Sequence, residues 1–314
     1  KILTIDDVLS LDASQGFIRN KQGIPNFGYT NSAYWTKFKI ENNTAFTERL
    51  LEITYPPLNE VDIYVFDGPI MIDELHFGSK YPFHDRLYPY PNFLYIFNLE
   101  QEESLTFYIR FQTQGSMQMP IYIWEQSGFM NKKQTDFLFQ GIFFGITGVM
   151  ALYNLFLYFA LRHKSYLYYV LVISMACLVN ICLNGIGFKY FWPDSPMWNM
   201  RSIVFFLSLG SIFSLLFANS FLDLRNSLPK AKKIVNILIA FNLSNDVLVF
   251  MYYKIALNLM VLSILSMIIF IIIKSILCWG KGARQARFFI VAWFIFLFGV
   301  FTSLLADAGF IPLT

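Results

Sequence analysis

Residues 137–161 carry no charged side chain, and the same is true of 166–188, 202–222, 255–273 and 288–306. A sixth run, 234–253, is broken only by Asp246. Each run is 19 to 25 residues long. A helix rising 1.5 Å per residue needs roughly 20 apolar residues to cross the hydrocarbon core of a bilayer. One such run fits a buried helix of a soluble protein. Six in series predict a helix bundle that crosses the lipid bilayer repeatedly, and the mean hydropathy of +0.48 agrees.

Charge divides the chain in two. Residues 1–131 hold nine Lys and Arg against sixteen Asp and Glu, a net −7, whereas 132–314 hold fifteen against five, a net +10. The basic residues of the second half sit in short linkers, not on one soluble face, so no nucleic-acid partner is expected. The linkers 162–165, 223–233 and 274–287 contain two, four and four Lys and Arg. The alternate linkers hold only Lys189, Arg201 and Lys254. Basic residues mark the cytoplasmic side, so the former linkers are expected inside and the front domain outside. Lys132 and Lys133 run against that rule. An exported front domain implies a signal peptide removed before Lys1, or a chain trimmed there, since no charged start and apolar core are present. Cys177, Cys182 and Cys278 all lie in or beside apolar runs, which leaves the front domain to be held by its core without disulfides.

The front, 1–131, reads as strands. "YWTKFKIEN" (34–42), "RLLEITY" (49–55), "EVDIYVF" (60–66), "NFLYIFNL" (92–99), "LTFYIRFQ" (105–112) and "MPIYIWE" (119–125) are short, aromatic-rich and separated by turn formers. Alternation assigns Val61, Ile63, Val65, Leu105, Phe107, Ile109 and Phe111 to a core. The opposite faces then present Trp35, Tyr64 and Tyr108 among charged residues, with Tyr122 beside Trp124. Such a surface suits a small ligand or glycan, whose C–H faces stack on rings; it equally suits a second packing face. The loop "YPFHDRLYPYPNF" (81–93) offers His84 and Arg86 as further ligand-binding candidates, against an ordinary strand connection with Arg86 paired to a carboxylate. His76 and His84 lack the spacing of a zinc site, and the acids lack that of a calcium loop, so no metal is expected.

Within the membrane half, Gly141, Gly145 and Gly148 form a small-residue face on which another helix, of this chain or of a second copy in a homodimer, can approach closely. Asp246 lies about 18 Å along its helix from Ile234. With Arg201 and Asp307 it is expected to form an intramembrane polar cluster, because unpaired charge is costly there. No apolar run contains His, and no HExxH or phosphate-binding loop occurs, so neither catalysis nor a cofactor is expected. Two classes remain: a sensor, and a transporter or channel with an exported accessory domain. The sparse polar residues favour the sensor.

The order of parts is itself informative. "YWTKFKIEN", "LLEITYPPLNEVDIYVFDG" and "MPIYIWEQSGF", followed by "GIFFGITGVMALYNLFLYFALRHKSYLYYVL", resemble the bacterial seven-transmembrane receptors with diverse intracellular signalling modules. The resemblance covers nearly the whole chain and is most specific in "YNLFLYFALRHKSYLYY". It implies a type-2 extracellular domain, an all-β jelly-roll sandwich similar to carbohydrate-binding modules, followed by an all-α polytopic bundle. It implies location in the bacterial inner membrane with the front domain periplasmic. It also implies a seventh helix beyond Thr314, leading to a cytoplasmic histidine kinase, diguanylate cyclase or phosphatase.

Overall fold

A computed structural model describes residues 3–13, 16–20, 23–222, 229–281 and 284–310. Residues 223–228 and 282–283, within two of the linkers expected to be cytoplasmic, lie outside the described residues.

The alternating segments become strands: β1 (Asn26–Tyr29), β2 (Tyr34–Glu41), β3 (Glu48–Ile53), β4 (Glu60–Asp67), β5 (Ile70–Phe77), β6 (Phe93–Asn98), β7 (Ser104–Gln112), β8 (Ser116–Gln118) and β9 (Ile121–Trp124). They form a four-stranded sheet in the order β2-β7-β4-β5, a three-stranded sheet β6-β3-β9 and the pair β1-β8, antiparallel throughout. In register, Ile63 faces Ile109 and Val65 faces Phe107, so their side chains meet on one face of the four-stranded sheet. That face closes on Leu51, Ile53 and Phe93 from the three-stranded sheet. The expected sandwich and its core are therefore present. Strand β5 carries acids and His76 along its length and one neighbour only, which masks its strand pattern in the sequence.

An amphipathic helix, α1 (Ile5–Ala13), precedes the strands. Thr4 and Asp7 cap it reciprocally: the Asp7 amide donates to Thr4 Oγ1 at 3.3 Å and the Thr4 amide to Asp7 Oδ2 at 3.1 Å. Its Val8 packs on Tyr64, Phe66 and Tyr108, the outer face of the four-stranded sheet.

Among the described residues seven further helices follow: α2 (Gln126–Leu161), α3 (Lys164–Leu183), α4 (Ile186–Tyr190), α5 (Pro196–Phe221), α6 (Pro229–Met251), α7 (Tyr253–Gly280) and α8 (Arg284–Asp307). Six of them are long and apolar enough to cross a membrane. Proline stands at the first position of α5 and α6, where its missing N–H costs nothing. Helix α2 starts at Gln126, eleven residues before the charge-free run, because polar residues do not stop a helix that keeps one face packed. Helix α3 stops at Leu183, short of the end of its apolar run, because Gly185 turns left-handed at φ 68°.

The chain divides into two compact units. The first contains 1–133 together with 184–200 and the segment from Leu305. The second contains 134–183 and 201–304. Its core runs through Leu215, Val249, Ala256, Ile271, Ala286 and Leu297, with Phe289 stacked on Trp293 at 5.2 Å. A Cβ placed at Gly141, Gly145 or Gly148 would meet nothing within 4 Å, so the close approach expected on that face does not occur within the described chain.

Candidate functional site

Among the described residues, the most heavily bonded carboxylate is one that sequence reasoning missed. Glu52 sits in β3 between residues of the sandwich core, so alternation turns its side chain to the opposite face of the sheet. There it is 1 % exposed and accepts four hydrogen bonds. Lys133 Nζ donates to Oε1 at 2.7 Å, Asn92 Nδ2 at 2.6 Å and Tyr90 Oη at 3.3 Å; Trp124 Nε1 donates to Oε2 at 2.9 Å. The ammonium of Lys133 also lies 4.4 Å from the Tyr90 ring centre and 5.1 Å from that of Phe129. A buried carboxylate is tolerated only when paired and fully bonded, and this one is both.

Glu125, Phe129 and Lys133 are spaced by four and share one helix face. Glu125 meets buried Arg49 of β3 at 2.8 Å, Phe129 packs with Leu50 and Leu94, and Lys133 meets Glu52. Only Glu125 separates sandwich and helix: β9 ends at Trp124 and α2 begins at Gln126. The sequence signal was Lys133 itself, a lysine against the charge rule. Its position answers to Glu52.

The rings proposed for an aromatic platform are mostly buried. Tyr64 and Tyr108 are 9 % and 5 % exposed beneath α1, and Trp35 stacks on Tyr64 at 5.8 Å within that cluster. These rings pack against α1, as the alternative of a second packing face implies. Trp124 is half-buried and committed to Glu52. In the 81–93 loop, His84 is exposed and lies 3.7 Å from exposed Asp194. Arg86 has no carboxylate partner among the described residues. It donates to the carbonyls of Tyr90 and Pro91 at 3.0 and 2.6 Å and lies 4.7 Å from the ring centres of both Phe83 and Phe93 and 5.7 Å from that of Phe188. Burial pushes its guanidinium down to about 10. It is a post that ties the loop to α4.

A cleft of about 420 Å³ opens elsewhere in the same unit, its lining including Asn31, Asn59, Glu60, Lys80, Gln112 and Met200. Lys80 Nζ lies 2.7 Å from Glu60 Oε1, and Arg110 bridges Glu60 at 3.2 Å and Asp62 at 2.8 Å. Burial raises the Glu60 carboxyl, but the hydrogen bonds from Lys80 and Arg110 outweigh it and hold the group below its ordinary value.

Each charge expected to cluster within the membrane has its own immediate surroundings. Asp307 accepts from Gln118 Nε2 at 3.0 Å, and its backbone carbonyl accepts from Ser116 Oγ at 2.6 Å. Arg201 lies 6.0 Å from the Phe250 ring centre. Asp246 is buried, and no ion pair joins it to Arg201 among the described residues. Among the described residues no group of His, Cys, Asp and Glu is arranged to hold a metal ion.

Comparison with known proteins places this geometry. The family described as 7TM diverse intracellular signalling matches residues 136–314, and that described as 7TMR-DISM extracellular 2 matches residues 1–125. No curated protein matches the chain. With more than half of its length matched by the first family and nearly all of its front by the second, the chain belongs to the sensor-type transmembrane receptors with diverse intracellular signalling and carries their second type of extracellular domain.

Proposed function

We propose that this chain is the input portion of a signalling receptor, in which the sandwich binds a small polar ligand and passes the bound state to a cytoplasmic output module through α2. The observation that carries the reading is the clamp of Glu125, Phe129 and Lys133 on the outer face of the β6-β3-β9 sheet. A helix fixed at its first two turns follows any tilt of the sheet beneath it. Ligand binding acts only through unequal affinity for two states, and about 1–3 kcal/mol of coupling is typical.

The ligand class is hydroxyl-rich, carbohydrate foremost, and its site is the cleft of Asn59, Glu60, Lys80 and Gln112. Amides and ionised groups side by side offer the dense donors and acceptors that sugar hydroxyls need, in a volume within the range of small-molecule sites. The output is of the histidine kinase, diguanylate cyclase or phosphatase type, reached from linkers 162–165, 223–233 and 274–287 on the cytoplasmic side of a bacterial inner membrane.

Calorimetric titration of the chain in lipid nanodiscs with a panel of mono- and oligosaccharides tests the ligand class. Binding that Glu60→Gln and Gln112→Ala weaken about tenfold is expected. Binding unaffected by both changes would move the ligand off the cleft, and no binding by any saccharide would remove carbohydrate. Labelling of a cysteine placed at Lys232 by an impermeant reagent applied outside intact cells would overturn the topology.

A further inference from the structure

One face of α6 changes character within a single turn. Asn242, Asn245, Asp246 and Val249 all point inward, spaced by three and four. Asn242 is satisfied. Its Oδ1 accepts from Ser208 of α5 at 3.3 Å and from Ser263 of α7 at 2.7 Å, and its Nδ2 donates to the Leu238 carbonyl at 2.8 Å. One turn further along, Asn245 is 0 % exposed and Asp246 8 %, yet both polar atoms of Asn245 and both carboxylate oxygens of Asp246 lack a hydrogen-bond partner. Ser208 lies near that carboxylate but directs its hydroxyl to the Asn242 carbonyl at 3.2 Å and to its Oδ1. Four unpartnered atoms on adjacent buried residues are expensive anywhere and more so in a helix with the length and hydropathy of a membrane span.

We propose that Asn245 and Asp246 hold a small monovalent cation, partly hydrated, on the floor made by Asn242, Ser208 and Ser263. The donor set is all oxygen, which selects hard alkali or alkaline-earth ions over transition metals. It carries one negative charge, so a single positive charge neutralises it, whereas a divalent ion would leave net charge buried. A proton on Asp246 would also remove the charge. It would leave both atoms of the Asn245 amide unsatisfied, whereas a cation takes Asn245 Oδ1 and its bound water accepts from Nδ2. The ion joins α6 to the same junction that ties α5 and α7, so its occupancy sets how firmly those three helices are held.

The test is thermal unfolding of the full chain in lipid nanodiscs, in chloride salts of sodium, potassium, lithium and N-methylglucamine at equal ionic strength. A ligand that binds only the folded state raises the midpoint in a saturable way. The expected result is a rise with sodium or potassium that N-methylglucamine does not reproduce. Asp246→Asn should lose that response and melt higher than the parent in N-methylglucamine, because no uncompensated charge is then buried. Asn245→Ala should need about tenfold more cation for half its effect. Equal midpoints in all four salts would overturn the site, as would a response that moves with pH alone, which marks a proton. If Asp246→Asn does not fold, Asn245→Ala decides: an unchanged half-effect concentration overturns the site.

Discussion

Lys133 Nζ lies 2.7 Å from Glu52 Oε1, with the lysine 9 % and the glutamate 1 % exposed. A buried pair of this kind need not be more stable than an apolar pair of the same volume, but breaking it by removing one partner costs about 3–5 kcal/mol. Lys133→Met should therefore lower the unfolding midpoint sharply, because it leaves the Glu52 charge buried against Tyr90, Asn92 and Trp124. The double variant Glu52→Gln with Lys133→Met should recover much of the loss. If the double variant is also the sum of the two single losses, the pair is not coupled and the clamp is not electrostatic. In a receptor with its output attached, the double variant should fold and signal weakly, since the helix face then lacks its charged anchor.

Tyr108 is packed beneath α1, with Phe66 edge-on at 5.4 Å and Val8 against it. Truncating a buried aromatic ring costs about 3–5 kcal/mol. Tyr108→Ala should accordingly act on stability and leave ligand affinity unchanged in the molecules that remain folded. Val8→Asp should mimic it and raise the solvent exposure of Trp35, read as a red shift of its fluorescence. A loss of ligand affinity with unchanged melting would restore the aromatic face as a binding surface.

The sandwich and the membrane bundle were legible because both rest on periodicity. Alternation at Val61, Ile63 and Val65 and charge-free runs of helical length are local signals. What lay hidden depends on which face meets which. Tyr64 reads the same whether it faces solvent or α1, and α1 was not read from the sequence, its local signal being only the capping pair Thr4 and Asp7. Glu52 looked like one charge in an apolar strand. Its four donors come from residues 90, 92, 124 and 133, which no spacing rule connects. Arg201 and Asp246 were paired by cost alone, and cost does not say which neighbour offsets it.

Gly78 holds the cleft in shape from behind. Its φ is +155°, and a Cβ there would stand 1.9 Å from the Asn59 carbonyl oxygen. That backbone cannot retreat freely, because the Asn59 side chain accepts from the Gln114 amide at 2.8 Å and donates to Ser79 Oγ at 3.0 Å. Gly78→Ala should cost several kcal/mol, on the order of 3, through strain and displaced backbone together. The change should also weaken any ligand of the cleft, read by titration at a temperature where the variant is still folded. Wild-type stability and affinity in Gly78→Ala would show that the cleft wall gives way without consequence.

Glu60 and Lys80 set a pH window for the same cleft. The Glu60 carboxyl is held below its ordinary 4.5, the hydrogen bonds from Lys80 and Arg110 outweighing burial. A group whose value falls on folding contributes stability above its unfolded value and loses it as pH drops through the folded one. Lys80 is raised above 10.5 by its hydrogen bond to Glu60, so its contribution is present below that value and lost as pH rises past it. Between the two limits the pair contributes fully, and at the acid end the loss begins below 4.5. Lys80 is 58 % exposed, so solvent screens the pair and the effect on the whole chain is small. The sharper expectation concerns the difference between proteins. Melting wild type and Glu60→Gln from about pH 8 down to about pH 3 should show a gap that is constant at neutral pH and narrows below the ordinary glutamate value. Raising salt should shrink the neutral gap as well. A gap that stays constant down to the acid end would mean that Glu60 titrates alike in the folded and unfolded chain, and that Lys80 and Arg110 do not hold it.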